Sequence, residues 1–289
     1  MSRALGDVPV LCRDRSANTF NRAAQELVAG YQDDARRGSS TVIELEVLLP
    51  TLNEEHRIRV TLEALIDYLA TCGVRSGITV VDNGSSDRTV DIASSFADAA
   101  VPVQVIGCAR RGKGAAVRKA ALCSTAKWVG FCDADLSTPV ETLELVIERL
   151  RAGHEIVVAS RRCAGARYVV KQPLARRIGG YGFRRLTAAY APTVADTQCG
   201  FKFFSREVAL ELFGQTQLDG FVFDVELLGV AHALGRAVTE VPVAWRDTEG
   251  TSFQLWRDGQ RVAREVVQLR RRFASQGPQA ERVARVPFG

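Results

Sequence analysis

From residue 42 onward the chain alternates short apolar runs with stretches whose apolar positions recur at helical spacing. The runs are VIELEVLLP (42–50), GITVVDN (77–83), VPVQVIG (101–107), WVGFCDAD (128–135) and EIVVAS (155–160). The helical stretches between them span 55–72, 87–97, 113–126 and 139–152. Runs that stay apolar, rather than alternating with polar residues, predict strands buried on both faces. Their alternation with helices predicts an α/β fold: a Rossmann-like, doubly wound, mostly parallel sheet joined by right-handed crossovers. Ligands of such sheets collect in the crevice at the carboxyl ends of the strands.

Beyond Ser160 the alternation breaks down. A basic helical region over about 171–190 leads to CGFKFF. A helix then starts at Ser205, another runs through FDVELLGVAHAL, a strand lies in AVTEVPVAW, and a last helix covers about 255–273. No Pro/Gly-rich linker separates this half, so residues 41–275 are expected to form one domain, with 41–160 and 161–275 as its halves. Residues 1–40 are polar apart from Phe20, Ala23, Ala24, Leu27, Val28 and Tyr31, whose spacing predicts one helix in an N-terminal extension. The tail, 276–289, lacks an apolar period and is expected to be flexible. In the last helix Leu255, Val262, Val266, Leu269 and Phe273 share a face. That pattern suits an interfacial helix on an anionic membrane or a core helix with a solvated basic side, the core reading being the default.

Composition narrows the class. Across 289 residues, 46% hydrophobic and 25% charged positions exclude a disordered, collagenous or coiled-coil chain. No apolar run approaches bilayer length and the first residues carry no apolar signal core, so a cytoplasmic protein is expected. Seven cysteines form no CxxC pair and no Cys/His cluster, which reads as reduced thiols and no zinc site. Five lysines against 33 arginines suggest a GC-rich coding genome and a bacterial source. The net charge is only +5, but no acidic residue occurs between Glu155 and Asp196, a stretch holding eight basic ones. A segment so free of acid points to an anionic ligand or surface. Nucleic acid is not the expected partner, because no aromatic-interleaved binding motif accompanies the basic stretches.

Candidate chemistry lies where the first four strands end: Pro50-Thr-Leu-Asn-Glu-Glu55, Asp82-Asn-Gly-Ser-Ser-Asp87, Arg111-Gly-Lys-Gly114 and Asp133-Ala-Asp135. Asn53 and Asp87 also suit helix caps. Asp82 directly follows a buried run and needs a partner, which a nucleobase or ribose hydroxyl would supply. Arg111-Gly-Lys-Gly lacks Walker spacing, yet its glycines allow close backbone approach and Lys113 stands at a helix start, where anions are favoured. Asp133 and Asp135 repel each other unless a cation or proton intervenes. A hard Mg²⁺ or Mn²⁺ prefers such oxygens together with substrate phosphates.

LPTLNEE, VVDNGSSDRT, RRGKGAAVRKA, FCDADLSTP, ASRR, ADTQCGFKFF, FDVELL and VPVAW, spread over about 45–250, resemble glycosyltransferase family 2. These are the inverting nucleotide-sugar enzymes of GT-A fold, and the chain is most similar to their polyprenyl-phosphate branch, of the dolichyl-phosphate β-glucosyltransferase kind. The resemblance implies that Pro50, Asn53, Glu54 and Asp82 surround base and ribose, that Lys113 lies near base or diphosphate, and that Asp133 and Asp135 hold the metal diphosphate. It places Arg161 at the acceptor phosphate, Asp196 and Gln198 on the sugar and acceptor side, and Asp224 and Glu226 at the acidic acceptor site. DADLSTP in place of the mannosyl DADLQH leans toward the glucosyl branch. The expected activity is metal-dependent transfer of a hexose, from UDP, to a polyprenyl phosphate, with peripheral membrane contact. The alternative acceptor is a hydroxyl of a soluble small molecule, for which Asp224, Asp196 or Glu226 would serve as base. A nucleotide-sugar pyrophosphorylase or binding module fits less well, because PTLNEE lacks the glycine-rich loop of the former.

Overall fold

The computed structural model describes residues 43–169, 174–246 and 255–274; the helix expected near residues 20–31 and the tail from 276 lie outside them. Strands β1 (Leu45–Thr51), β2 (Ser76–Asp82), β3 (Val103–Gly107), β4 (Trp128–Cys132) and β5 (Ile156–Ser160) alternate with helices α1 (Ile58–Thr71), α2 (Thr89–Ser94), α3 (Lys113–Cys123) and α4 (Thr142–Arg151). There follow β6 (Arg167–Tyr168), α5 (Leu174–Thr187), β7 (Phe201–Ser205), α6 (Arg206–Gln215), α7 (Phe223–Ala233), β8 (Thr239–Pro242), β9 (Ala244–Trp245) and α8 (Leu255–Ala274). The central sheet runs β3-β2-β1-β4-β7-β5-β8, and β6 pairs with β9 in a small parallel ribbon.

Strand residues alternate between the faces of this sheet, so each strand feeds two cores. Leu48, Val81, Phe131, Val158 and Phe204 pack beneath α3, α6, α7 and α8. Val47, Leu49, Val80, Val157 and Phe203 pack beneath α1, α2 and α4. The helices bury the faces their sequences predict: Leu143, Val146, Ile147 and Leu150 form the buried row of α4. Ser205 closes β7 and caps α6 by accepting the Val208 amide. Val266, Leu269 and Phe273 bring α8 into the first core, the default outcome for that helix. Among the described residues no helix is long and apolar enough to cross a membrane.

β7 departs from the simple alternation. It is antiparallel to both of its neighbours, with Cys132 opposite Phe201 and Val158 opposite Lys202, while β8 runs parallel to β5. An antiparallel strand enters the sheet at the edge where parallel strands leave it. The segment preceding β7, Asp196 to Gly200, therefore reaches the same edge as the segments following β1 to β5.

Candidate active site

Four loops of that carboxyl edge are bound to one another mainly through backbone amides. Asn53 adopts a left-handed φ of 56°. Its amide donates to Ser85 Oγ at 2.9 Å and its Oδ1 accepts the Ser86 amide at 2.8 Å, tying the loop after β1 to the loop after β2. It does not cap α1, which begins at Ile58 with Arg57 before it. Asp87 Oδ2 accepts the Glu55 amide and its Oδ1 the Thr89 amide, so Asp87 serves both the start of α2 and this tie. Asp82 accepts from the amides of Gly84 and Ser85 at 3.0 and 3.2 Å, folding its own turn. Pro50 is half-buried in β1, opposite Val81 of β2. Glu54 pairs with Arg57 at 3.7 Å. Burial pushes its carboxyl above the usual range against the pull of Arg57, and the charges of Asp135 and Asp133 add to the rise.

The third loop is set by a residue that the motif reading passed over. Asn83 Oδ1 accepts the Gly112 amide at 2.6 Å, and its Nδ2 donates to the Arg110 carbonyl at 2.8 Å. The glycines of Arg111-Gly-Lys-Gly do permit close approach, but to the chain itself: Gly112 has φ 130°, and a Cβ there would meet the Asp219 carbonyl oxygen at 2.0 Å. Asp219 in turn binds Arg110 and Arg118. The loop is thus fastened to the segment that leads into α7, and Lys113 starts α3 pointing into a buried cluster.

That cluster is the centre of the site. Lys113 Nζ lies 2.7 Å from Asp133 Oδ1 and 3.6 Å from Asp224 Oδ2. Lys202 Nζ binds Asp224 Oδ1 and donates to the Cys199 carbonyl at 2.6 Å. Both ammonium groups lie 5.4 Å from the centre of the Phe131 ring. Burial works against a charged Lys113, but the Asp133 and Asp224 charges outweigh it and raise its pKa. Burial also pushes the Asp133 carboxyl up; Lys113 counters this, and the neighbouring Asp135 charge adds to the rise. Asp133 is seated on Gly200, where a Cβ would lie 1.9 Å from its Oδ2, and its amide donates to the Gly200 carbonyl. Asp135 accepts the Ser137 amide at 2.9 Å.

The donor set suits a hard divalent cation. Two carboxylates one residue apart stand at the exit of β4, and the Asp135 charge raises the cost of charge on Asp133. Among the described residues no third Asp, Glu, His or Cys joins them. Mg²⁺ or Mn²⁺ held by Asp133 and Asp135 would therefore complete its shell from phosphate oxygens and water, as such ions commonly do.

On the other side of β7, Asp196 receives a two-pronged ion pair from Arg161, Nε to Oδ2 at 2.6 Å and Nη2 to Oδ1 at 2.8 Å, with the Arg161 amide also donating to Oδ2. Arg161 stacks over Trp245 at 4.7 Å. Although burial opposes it, this pairing lowers the Asp196 pKa to about 2. So paired, Asp196 is a weak proton acceptor. Arg161 stands at the end of β5 as expected, with much of its donor fork committed to Asp196. Gln198 follows, half-buried, its amide on Asp196 Oδ1.

The sequence pairs Asp224 with Glu226, but the fold separates them. Residues two apart on a helix face nearly opposite sides. Glu226 is fully buried; its Oε2 accepts the amides of Gln217 and Leu218, and its Oε1 binds Arg272 of α8. Glu226 therefore fastens α7 to α8 and is not brought to the cluster. The residue that takes the second place beside Asp224 is Lys202. Its signal was legible, a lysine among the phenylalanines of FKFF, although the position of β7 was not.

The paired aspartates and the buried Lys113 thus stand together at the carboxyl edge of a seven-stranded α/β sheet. The model of glycosyl transferase family 2 matches residues 46–213. Dolichyl-phosphate β-glucosyltransferase of Mus musculus is 31% identical over 80% of this chain and 76% of that protein. That of Dictyostelium discoideum is 30% identical over 80% and 75%. Glucosyl-3-phosphoglycerate synthase of Mycobacterium tuberculosis, solved with Mg²⁺ and UDP, superposes with a TM-score of 0.61 at 22% identity, covering 85% of this chain and 81% of that one. The chain belongs to glycosyltransferase family 2, has the GT-A fold and is a glycosyltransferase.

Proposed function

We propose that the protein is an inverting, metal-dependent hexosyltransferase that moves glucose from UDP-glucose to a polyprenyl phosphate. The observation that carries the acceptor class is the state of its acidic residues. Asp196 is locked to Arg161, Asp224 lies between two lysines, and Glu226 is spent on α8. A hydroxyl acceptor needs a group to take its proton, whereas a phosphate monoester arrives as an anion and needs none. The names of the relatives support the same acceptor, and UDP with Mg²⁺ in the M. tuberculosis synthase supports the donor.

In this reading the phosphate oxygen of the lipid attacks the anomeric carbon from the face opposite the diphosphate. The glycosidic C–O bond breaks, its electron pair leaves with UDP, and the anomeric configuration inverts. Negative charge grows on the departing diphosphate, so preorganised cations there lower the barrier most. Asp133 and Asp135 would hold Mg²⁺ or Mn²⁺, which neutralises diphosphate charge when bound. Lys113, kept protonated by Asp133 and Asp224, adds a second cation beside it. Asn53, Glu54 and Asp82, on the linked loops after β1 and β2, would border base and ribose, with Pro50 beneath them. The Arg161 side of β7, with Gln198, faces the acceptor.

The deciding experiment is turnover of UDP- and GDP-sugars against polyprenyl phosphate in detergent and against water-soluble hydroxyl acceptors. Glucosyl lipid from UDP-glucose is expected. Full turnover on a soluble hydroxyl, with none on the lipid phosphate, would replace this reading.

A further inference from the structure

Lys202 sits where strand chemistry disfavours it. It is the second residue of β7, wholly buried, between Phe201 and Phe203 and opposite Phe131 and Val158 of the flanking strands. A buried ion pair in such a place is often replaceable by apolar side chains at no loss of stability, so packing alone does not account for a lysine there. The chain otherwise strongly prefers arginine, with 33 against five lysines, yet two of the five meet on Asp224. A compact ammonium suits the space between a carboxylate and a carbonyl better than a planar guanidinium does.

We propose that Lys202 is a positioning residue for sugar transfer: it fixes the Asp224 carboxylate so that Asp224 and Asp133 together hold the Lys113 ammonium at the diphosphate end of the site. The geometry is a chain of alternating charge. Lys202 takes Asp224 Oδ1 and leaves Oδ2 facing Lys113 at 3.6 Å, while Lys113 stays on Asp133 at 2.7 Å. The four charges cancel. Without Lys202 the cluster carries a net negative charge, and Asp224, left with one cation, draws Lys113 away from Asp133. Lys202 also donates to the Cys199 carbonyl, beside the glycine on which Asp133 rests, so one ammonium ties the turn before β7 to the start of α7. The placing of a diphosphate near Asp133 rests on the proposed function; the linkage among the four residues does not.

The test is a double-mutant cycle in steady-state turnover, using UDP-glucose and polyprenyl phosphate or whichever donor and acceptor the wild-type enzyme uses. Lys202→Met is expected to lower kcat by roughly 100-fold with the acceptor KM changed less than about threefold, and Lys202→Arg to recover part of the loss. In a Lys113→Met background the same Lys202 substitution is expected to cost less than about threefold, because a residue acting through Lys113 has nothing left to position. Independent losses that multiply would overturn the proposal, as would a folded Lys202→Met enzyme of normal kcat. Melting curves accompany each variant. If Lys202→Met does not fold, the cycle is run with Lys202→Arg, whose smaller loss must likewise vanish beside Lys113→Met. Calorimetric titration of the wild type with UDP separates the two readings: an active enzyme that does not bind UDP removes the donor assignment, and the cycle still reports on Lys202.

Discussion

Asp133 and Asp135 share the exit of one strand but carry different loads. Both are half-buried, but Asp133 is packed on Gly200 and already engaged by Lys113, whereas Asp135 holds a backbone amide. Asp135→Asn keeps shape and removes charge, so turnover is expected to fall by about three orders of magnitude with the melting temperature nearly unchanged. EDTA should have the same effect on the wild type, and added Mn²⁺ should reverse it. Asp196 offers a separate test through pH. Its folded pKa is about 2, below the ordinary 3.8, so its pairing with Arg161 stabilises the fold fully above pH ~4, and that contribution disappears as pH falls through 2. The shift corresponds to about 2 kcal/mol. Melting followed from pH 5 to pH 2 should show the wild type losing this increment while Asp196→Asn, already without it, declines less steeply.

At the scale of elements, the active edge depends on two devices that are not themselves chemical. One is the reversed direction of β7, which delivers Asp196, Gln198 and Gly200 to the edge reached by the parallel strands. The other is the clamp of α8 on the segment around α7. Arg272 binds Glu226 and the Gln215 carbonyl, and Glu265 accepts the Val222 amide at 3.2 Å. α7 carries Asp224 in its first turn, and this clamp stabilises the packing of the helix that bears that carboxylate. Glu226→Ala leaves two amides without their acceptor and removes the carboxylate that pairs with Arg272, which should cost about 3 kcal/mol or more. Below its lowered melting temperature the variant is expected to keep kcat within a fewfold of wild type. A folded Glu226→Ala enzyme with turnover abolished would return this residue to the chemistry.

For the whole molecule, the acid-free stretch from 156 to 195 also carries exposed apolar side chains. Tyr168, Val169, Tyr181 and Leu186 are exposed in it, as are Arg162, Arg167 and Arg185. Aromatic and aliphatic groups interleaved with cations suit the headgroup region of an anionic bilayer, where each basic residue contributes about 1 kcal/mol. Flotation with anionic vesicles is expected to capture the protein at low salt and release it as salt is raised. Arg162→Glu combined with Arg185→Glu should weaken capture without lowering turnover of a detergent-dispersed lipid phosphate. Capture that is indifferent to salt and to these substitutions would move the contact elsewhere.

Much of this architecture was legible in the sequence because strand and helix periods are local. Fully apolar runs such as ITVV and WVGFC identify buried parallel strands, and the polar clusters that end them must share one edge, whatever the loops do. Asp133 and Asp135 could be recognised for the same reason: two acids closing a buried strand need a cation or a proton. What tertiary structure decided was partnership. Nothing local in CGFKFF says that its strand runs backwards between β4 and β5, so Lys202 could not be matched to Asp224. Nothing in FDVELL separates an acid that faces the cluster from one that faces α8, apart from the turn of a helix whose orientation the core sets. The two-pronged grip of Arg161 on Asp196 likewise joins residues 35 apart in the chain. Charge pairing across such distances depends on which surfaces pack together, and that is settled only when the sheet closes.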